Sequence, residues 1–140
     1  MRTITVKGEF IRKEAEAAGA ITPGHLIEDD GNGDVIVHAT AAGEGRKAFA
    51  LENSLIGDGI DDDYADGDTV QYGVFTQGAE VYAFLAAGEN AGIGDALVSN
   101  GDGTLAVMGT GEEAVIMAWA MEAVDNSAGS DAERITVEVA

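Results

Sequence analysis

Apolar and polar residues alternate along this chain in short runs, and glycine-rich stretches separate the runs. A period of two is the mark of half-buried strands, because successive side chains point to opposite faces of a sheet. It predicts strands at TITVKGEFI, at HLI and VIVHA on either side of DDGNGD, at GRKAFALE, DTVQYGVF and EVYAFLAA, at ALV and LAVMG on either side of SNGDGT, and at RITVEVA. The stretch EEAVIMAWAMEAV admits a helix by propensity alone. Its Val115, Met117, Trp119 and Met121 nevertheless alternate with Ala114, Ile116, Ala118 and Ala120, which assigns it to a strand. Only IRKEAEAAG, residues 11–19, reads as helical, for at most two turns. Asn100-Gly101 is a dipeptide favoured in type I′ hairpins, whose two central residues both need positive φ.

Sliding the sequence on itself by seventy positions brings Gly24 onto Gly94, Gly31 onto Gly101, Gly33 onto Gly103, Val37 onto Val107 and Thr40 onto Thr110. AFALE, Ala48 to Glu52, then falls on AWAME, Ala118 to Glu122, with Phe49 replaced by Trp119 and Leu51 by Met121. Two copies of one supersecondary unit are the economical explanation. The expected fold is therefore all-β: a small barrel or sandwich forming a single domain, 1–140, built from two similar halves, about 1–70 and 71–140. Phe49 and Trp119 are expected in equivalent buried places.

Composition sharpens this picture. Twenty glycines against one proline, with abundant Val, Ile, Leu and Ala, favour tight turns between short strands over a disordered chain. Twenty-six acidic residues oppose seven basic ones, a formal charge of −19, which argues against nucleic acid as a partner and suits high solubility and a saline setting. Four of the seven cations, Arg2, Lys7, Arg12 and Lys13, lie in the first thirteen positions; Arg46 and Lys47 are adjacent, and Arg134 is near the end. No apolar run reaches the roughly 18 residues of a membrane span, and MRTITVKGEF lacks the apolar core of a secretory signal. No membrane partner is expected, and the chain reads as soluble and unprocessed.

Candidate chemistry is sparse. EDDGNGDVIV, Glu28 to Val37, has the look of a calcium loop, but with Asp30, Asn32 and Asp34 as the first ligands the glycine position is Val35 and the closing glutamate position is Ala41. The matching turn at Ser99–Thr104 keeps the glycines and sheds most of the charge, so the repeat retains turn geometry. The aspartates at 58, 61, 62, 63, 66 and 68 fall between the halves and read as a solvated loop. His25 and His38 flank the first hairpin and are expected at solvent or capping strand ends. Ser54, Ser99, Ser127 and Ser130 sit in turn-like contexts without a nucleophile elbow, no glycine loop opens a helix, and there is no cysteine. The expectation is a non-enzyme with no catalytic residue, no metal and no cofactor.

The segments AAGAITPGHLIEDD, GRKAFALENS, AGIGDALVSNGDGTLAV and AVIMAWAMEAVDNSAGSDAERITVEVA together resemble the capsid decoration, or cement, proteins of tailed viruses with HK97-type shells. The resemblance is one of cadence, over most of the chain, and carries no catalytic residues. It implies a virion protein on the outer capsid surface, made in the host cytoplasm, with the major capsid protein and its own copies, as a homotrimer, for partners. The crowding of cations near the N-terminus then makes Arg2, Lys7, Arg12 and Lys13 the capsid-binding candidates, with three N-termini converging on a local axis and the Asp58–Asp68 loop turned away. A second reading is a surface carbohydrate-binding β-module; the assignment of Trp119 to the core counts against it.

Overall fold

A computed structural model describes residues 2–140. In chain order its strands are β1 (Thr5–Lys7), β2 (Phe10–Glu16), β3 (Ile27–Asp29), β4 (Val35–Val37), β5 (Ala48–Ala50), β6 (Thr69–Phe75), β7 (Glu80–Leu85), β8 (Asn90–Ala91), β9 (Ala96–Ser99), β10 (Leu105–Val107), β11 (Ile116–Ala120), β12 (Val124–Asp125) and β13 (Glu133–Val139). One 3-10 turn spans Ser54–Ile56, and no α-helix occurs among the described residues. The fold is all-β, as the alternation predicts.

The strands form two similar circuits. In the second, β7 pairs with β13, β13 with β11, β11 with β9 and β9 with β10, all antiparallel, and β10 returns to β7 in parallel through Leu105 opposite Leu85, closing a five-stranded barrel. In the first, β2 pairs with β6 and β6 with β5. A bridge of Leu26 to Phe49 leads to the β3–β4 hairpin, and a parallel bridge of Ala17 to Val35 leads back to β2. The pair Leu26–Phe49 and the pair Ala96–Trp119 are seventy positions apart on both strands. At the edges the spacing drifts: Ala17 answers to Leu85, sixty-eight on, and Val74 to Val139, sixty-five on. The shift from seventy to sixty-five means that the first barrel carries five extra residues between its last two strands, in the segment holding Asp58–Asp68. The strand β1 crosses over: it pairs with β7 of the second barrel, before the left-handed Gly8 lets the chain turn into β2 of the first.

Both hairpins turn alike. Asp30 N–H donates to Asp34 O at 3.0 Å and Asn100 N–H to Thr104 O at 2.9 Å, with positive φ at Gly31 and Gly33 and at Gly101 and Gly103. The second turn is thus not type I′ at Asn100-Gly101, since Ala42 is the only non-glycine with positive φ among the described residues. Glycines at alternate positions supply the bend instead. The Asp30 carboxylate is spent on the turn, accepting from Asn32 N–H at 2.7 Å and Asp34 N–H at 3.1 Å, and in the second turn Asp102 takes that part by accepting from Thr104.

Two further expectations fail here for physical reasons. IRKEAEAAG is not helical: residues 10–16 form β2, paired residue for residue with β6 from Phe10 opposite Phe75 to Glu16 opposite Thr69. Its helix-favouring Lys, Glu and Ala are overridden by seven paired positions on a strand that is solvated over most of its length. Trp119 is not buried. Ala118 and Ala120 point into the second barrel and Trp119 points out of it, 37% exposed. The strict alternation also breaks at a bulge between Ile116 and Ala118, which lets the neighbouring Met117 and Ala118 both be buried.

Phe49 obeys the same rule with the opposite result. Ala48 and Ala50 join Ile27, Val35, Val70 and Tyr72 inside the first barrel. Phe49 points out of that barrel and is fully buried in a second cluster that runs through Leu26, Leu51 and Phe75 into Val81, Met117 and Val139. The second barrel covers it. The two aromatics are therefore equivalent in position and unlike in burial.

Candidate interaction surfaces

The seam between the barrels holds several polar side chains wholly or partly withdrawn from water, among them Arg134, His25, His38 and Ser99. Arg134 reaches from β13 into the first barrel, where Nη1 donates to Pro23 O and Nη2 to Ile60 O, both at 2.7 Å. Its guanidinium lies 4.0 Å from the centroid of Phe84, within 5.5 Å of Tyr82, and 3.5 Å from Asp61 Oδ1. Burial lowers its pKa from the ordinary arginine value and Asp61 works against that. Gly24 belongs to this seam: a Cβ there would strike Arg134 Nη1 and Tyr82 O, and its φ is +99°. His38, expected at solvent or a strand end, follows β4 but is fully buried and joins the barrels, with Nδ1 2.7 Å from Ser99 Oγ and Nε2 2.8 Å from Glu44 O. His25 packs on Phe84 with ring centroids 5.2 Å apart and accepts Thr22 N–H at Nδ1. Sequence reading assigned Arg134 no role. Its one signal was a cation in a strand whose Ile135, Val137 and Val139 alternate inward.

The four N-terminal cations do not form one cluster. Arg2 lies over the Tyr82 ring at 4.7 Å and Lys7 Nζ is 3.6 Å from Glu80, both against β7 of the second barrel. Arg12 and Lys13 are on β2 of the first barrel and, as adjacent strand residues, point to opposite faces. Arg12 lies near Phe10, while Lys13 shares the side of Tyr72, over which Arg46 is held at 5.9 Å with its Nη2 3.0 Å from Asp29.

The acidic insertion borders a shallow cleft of about 200 Å³ between Asn53, Asp58, Asp63, Tyr64 and Asp68. Two of its carboxylates serve their own turns: Asp62 accepts from Gly59 N–H at 2.7 Å and Asp68 from Ala65 N–H at 2.8 Å. Among the described residues no three His, Asp or Glu side chains are grouped as a metal site would require. Ser99, His38 and Glu28 do stand in line, with His38 Nδ1 2.7 Å from Ser99 Oγ and Nε2 3.3 Å from Glu28 Oε2, but the serine hydroxyl is buried at the seam and withdrawn from solvent.

Neither protein-family models nor curated protein sequences match this chain. Its fold does match a solved structure, the N base of head fiber gp8.5 of bacteriophage phi29, with a TM-score of 0.62 over 94% of this chain and 95% of that one. The two share 15% of their residues, so the likeness is one of fold, extending over both barrels.

Proposed function

We propose that this chain is a virion structural protein that binds the outer surface of a capsid shell and stabilises it against internal pressure, as a trimer at local symmetry axes. The observation that supports the reading best is the likeness over nearly the whole of both chains to the base of a phage head fiber. A likeness confined to one small barrel would weigh far less. The proposal assigns the chain no catalysis, cofactor, nucleic acid or membrane.

The physical role follows from linkage. A ligand that binds only the assembled shell stabilises assembly by its own binding free energy, and several copies on one particle add avidity without strong individual contacts. The shell-facing side is assigned to the N-terminal segment, with Arg2, Lys7 and Arg12 meeting acidic capsid residues and Lys13, on the other face of β2, left out of that contact. Asp61 of the acidic insertion sits by Arg134 at the same Tyr82 ring that Arg2 covers, so only the insertion's remaining aspartates are assigned away from the shell. Replacing Arg2, Lys7 and Arg12 by Gln is expected to weaken attachment to particles stripped of this protein, and neutralising those remaining aspartates to leave it unchanged. The opposite pattern in a co-sedimentation assay would reverse the orientation.

A second reading gains from the exposure of Trp119, since carbohydrate modules use surface aromatics as platforms. In that reading, soluble glycans quench or shift the fluorescence of Trp119, the only tryptophan.

A further inference from the structure

The contact between the two barrels has two sides, and each side recurs elsewhere on the molecule without a cover. The inserting side is the outward face of the first barrel, with Leu26, Phe49 and Leu51. The receiving side is the second barrel, where Ala79, Val81, Met117 and Val139 join the same continuous core. By the strand correspondences, the inserting face recurs on the second barrel as Ala96, Trp119 and Met121, and there Trp119 is 37% and Met121 42% exposed. The receiving end recurs on the first barrel as Ile11, Lys13, Lys47 and Val74, of which Ile11 is 64% exposed.

We propose that these two uncovered faces bind one another between copies of this chain, so that the Trp119–Met121 face of one copy seats on the Ile11–Lys13 end of the next. The inter-barrel contact inside the chain is then repeated between chains. Charge favours the match. Glu138 stands directly opposite Trp119 on the neighbouring strand, and the receiving end gathers Lys13, Arg46 and Lys47, three of the seven cations in a chain of −19, Arg46 being held by Asp29. Trp and Met are also residue types enriched where surfaces bind, and Trp119 is placed as an anchor. Because the two faces differ, the contact is head-to-tail: it closes into a ring if the rotation per step allows and otherwise extends as a filament. The inference rests on the barrel pairings and stands whether or not the chain binds a shell, although a ring would provide the self-association that the capsid reading asks for.

The test uses the full chain in sedimentation velocity from micromolar to millimolar concentration. The unmodified chain is expected to associate with rising concentration. Trp119→Glu and Ile11→Glu are each expected to weaken association by at least about tenfold, the effect of losing one anchor residue. Trp119→Phe should retain it. Both charged substitutions are at exposed positions, and thermal melts by circular dichroism check that the barrels remain folded. An equimolar mixture of the two variants still holds one intact inserting face and one intact receiving end. It is expected to form a one-to-one pair and nothing larger. A monomeric unmodified chain throughout the range, or a mixture that remains monomeric while the unmodified chain associates, would overturn the proposal.

Discussion

Phe49 and Trp119 occupy one position in two similar barrels, each between two inward alanines and each opposite a partner seventy positions from its counterpart's. Phe49 is sealed by the other barrel and Trp119 faces water, its strand neighbours being Ala96 and Glu138 where Phe49 has Leu26 and Gly73. Duplication copies a residue's place in its own unit. It does not copy what the unit is packed against, so burial at outward positions must be argued for each copy separately.

The largest test of this comparison is truncation. Phe49→Ala is expected to cost about 3–5 kcal/mol in urea unfolding, the usual range for emptying a fully buried aromatic site. Trp119→Ala, measured where the chain is monomeric, is expected to cost less than about 1 kcal/mol, as surface changes do. Similar costs at both places would break the asymmetry between the barrels.

A smaller effect is expected at the seam. Arg134→Met keeps the length of the stem but leaves the Pro23 and Ile60 carbonyls without their donor, at a cost of about 2–3 kcal/mol. Arg2→Met, which removes an exposed cation over the same Tyr82 ring, is expected to change stability by no more than about 0.5 kcal/mol. Calorimetry of the two variants separates a structural staple from a surface charge.

The smallest effect is a pH dependence at His25. Burial lowers its pKa below the ordinary imidazole value, Arg134 adds to that, and Asp102 and Asp63 oppose it. The unfolded chain therefore takes up a proton near pH 6.5 that the folded chain refuses until lower pH. Stability from this group is full above that pH and is lost as pH falls toward the folded value. Compared with His25→Gln, the unmodified chain is expected to lose more stability between pH 7 and 5. Melts with parallel pH profiles for the two would remove His25 from the seam's energetics.

Much of the architecture was legible in the sequence. The strands from β3 to β7 and from β9 to β11, and the final β13, fall on runs that the sequence marks as strands; β7 and β13 alternate most plainly, with one face on a core and one nearer water, whereas β5 is buried on both faces. The repeat was legible because its glycines occupy turn positions that only positive φ satisfies. Residues 11–19 misled because β2 is solvated along much of its length and carries no period of its own. Trp119 misled because the cover over Phe49 comes from a unit remote in sequence. The roles of Arg134 and His38 were hidden for the same reason: their partners, Pro23 and Ile60 in one case and Ser99 in the other, lie from 61 to 111 residues away. The candidate surface was legible only as a count of cations, and the fold divides them between two barrels.

The crossing of β1 to the second barrel also determines how this molecule carries load. Thr5 and Val137 lie on opposite flanks of Val81, both on strands antiparallel to β7, so β1 and β13 run in the same direction. Tension drawn through the two ends of the chain pulls these strands in opposite senses along β7, and the hydrogen bonds between them are strained in shear together instead of being unzipped one after another. The first barrel lies outside that line of force. Residues 10–75 form a lateral attachment on a short tensile clamp, joined to the strands that bear the pull through the core around Phe49 and through Arg134.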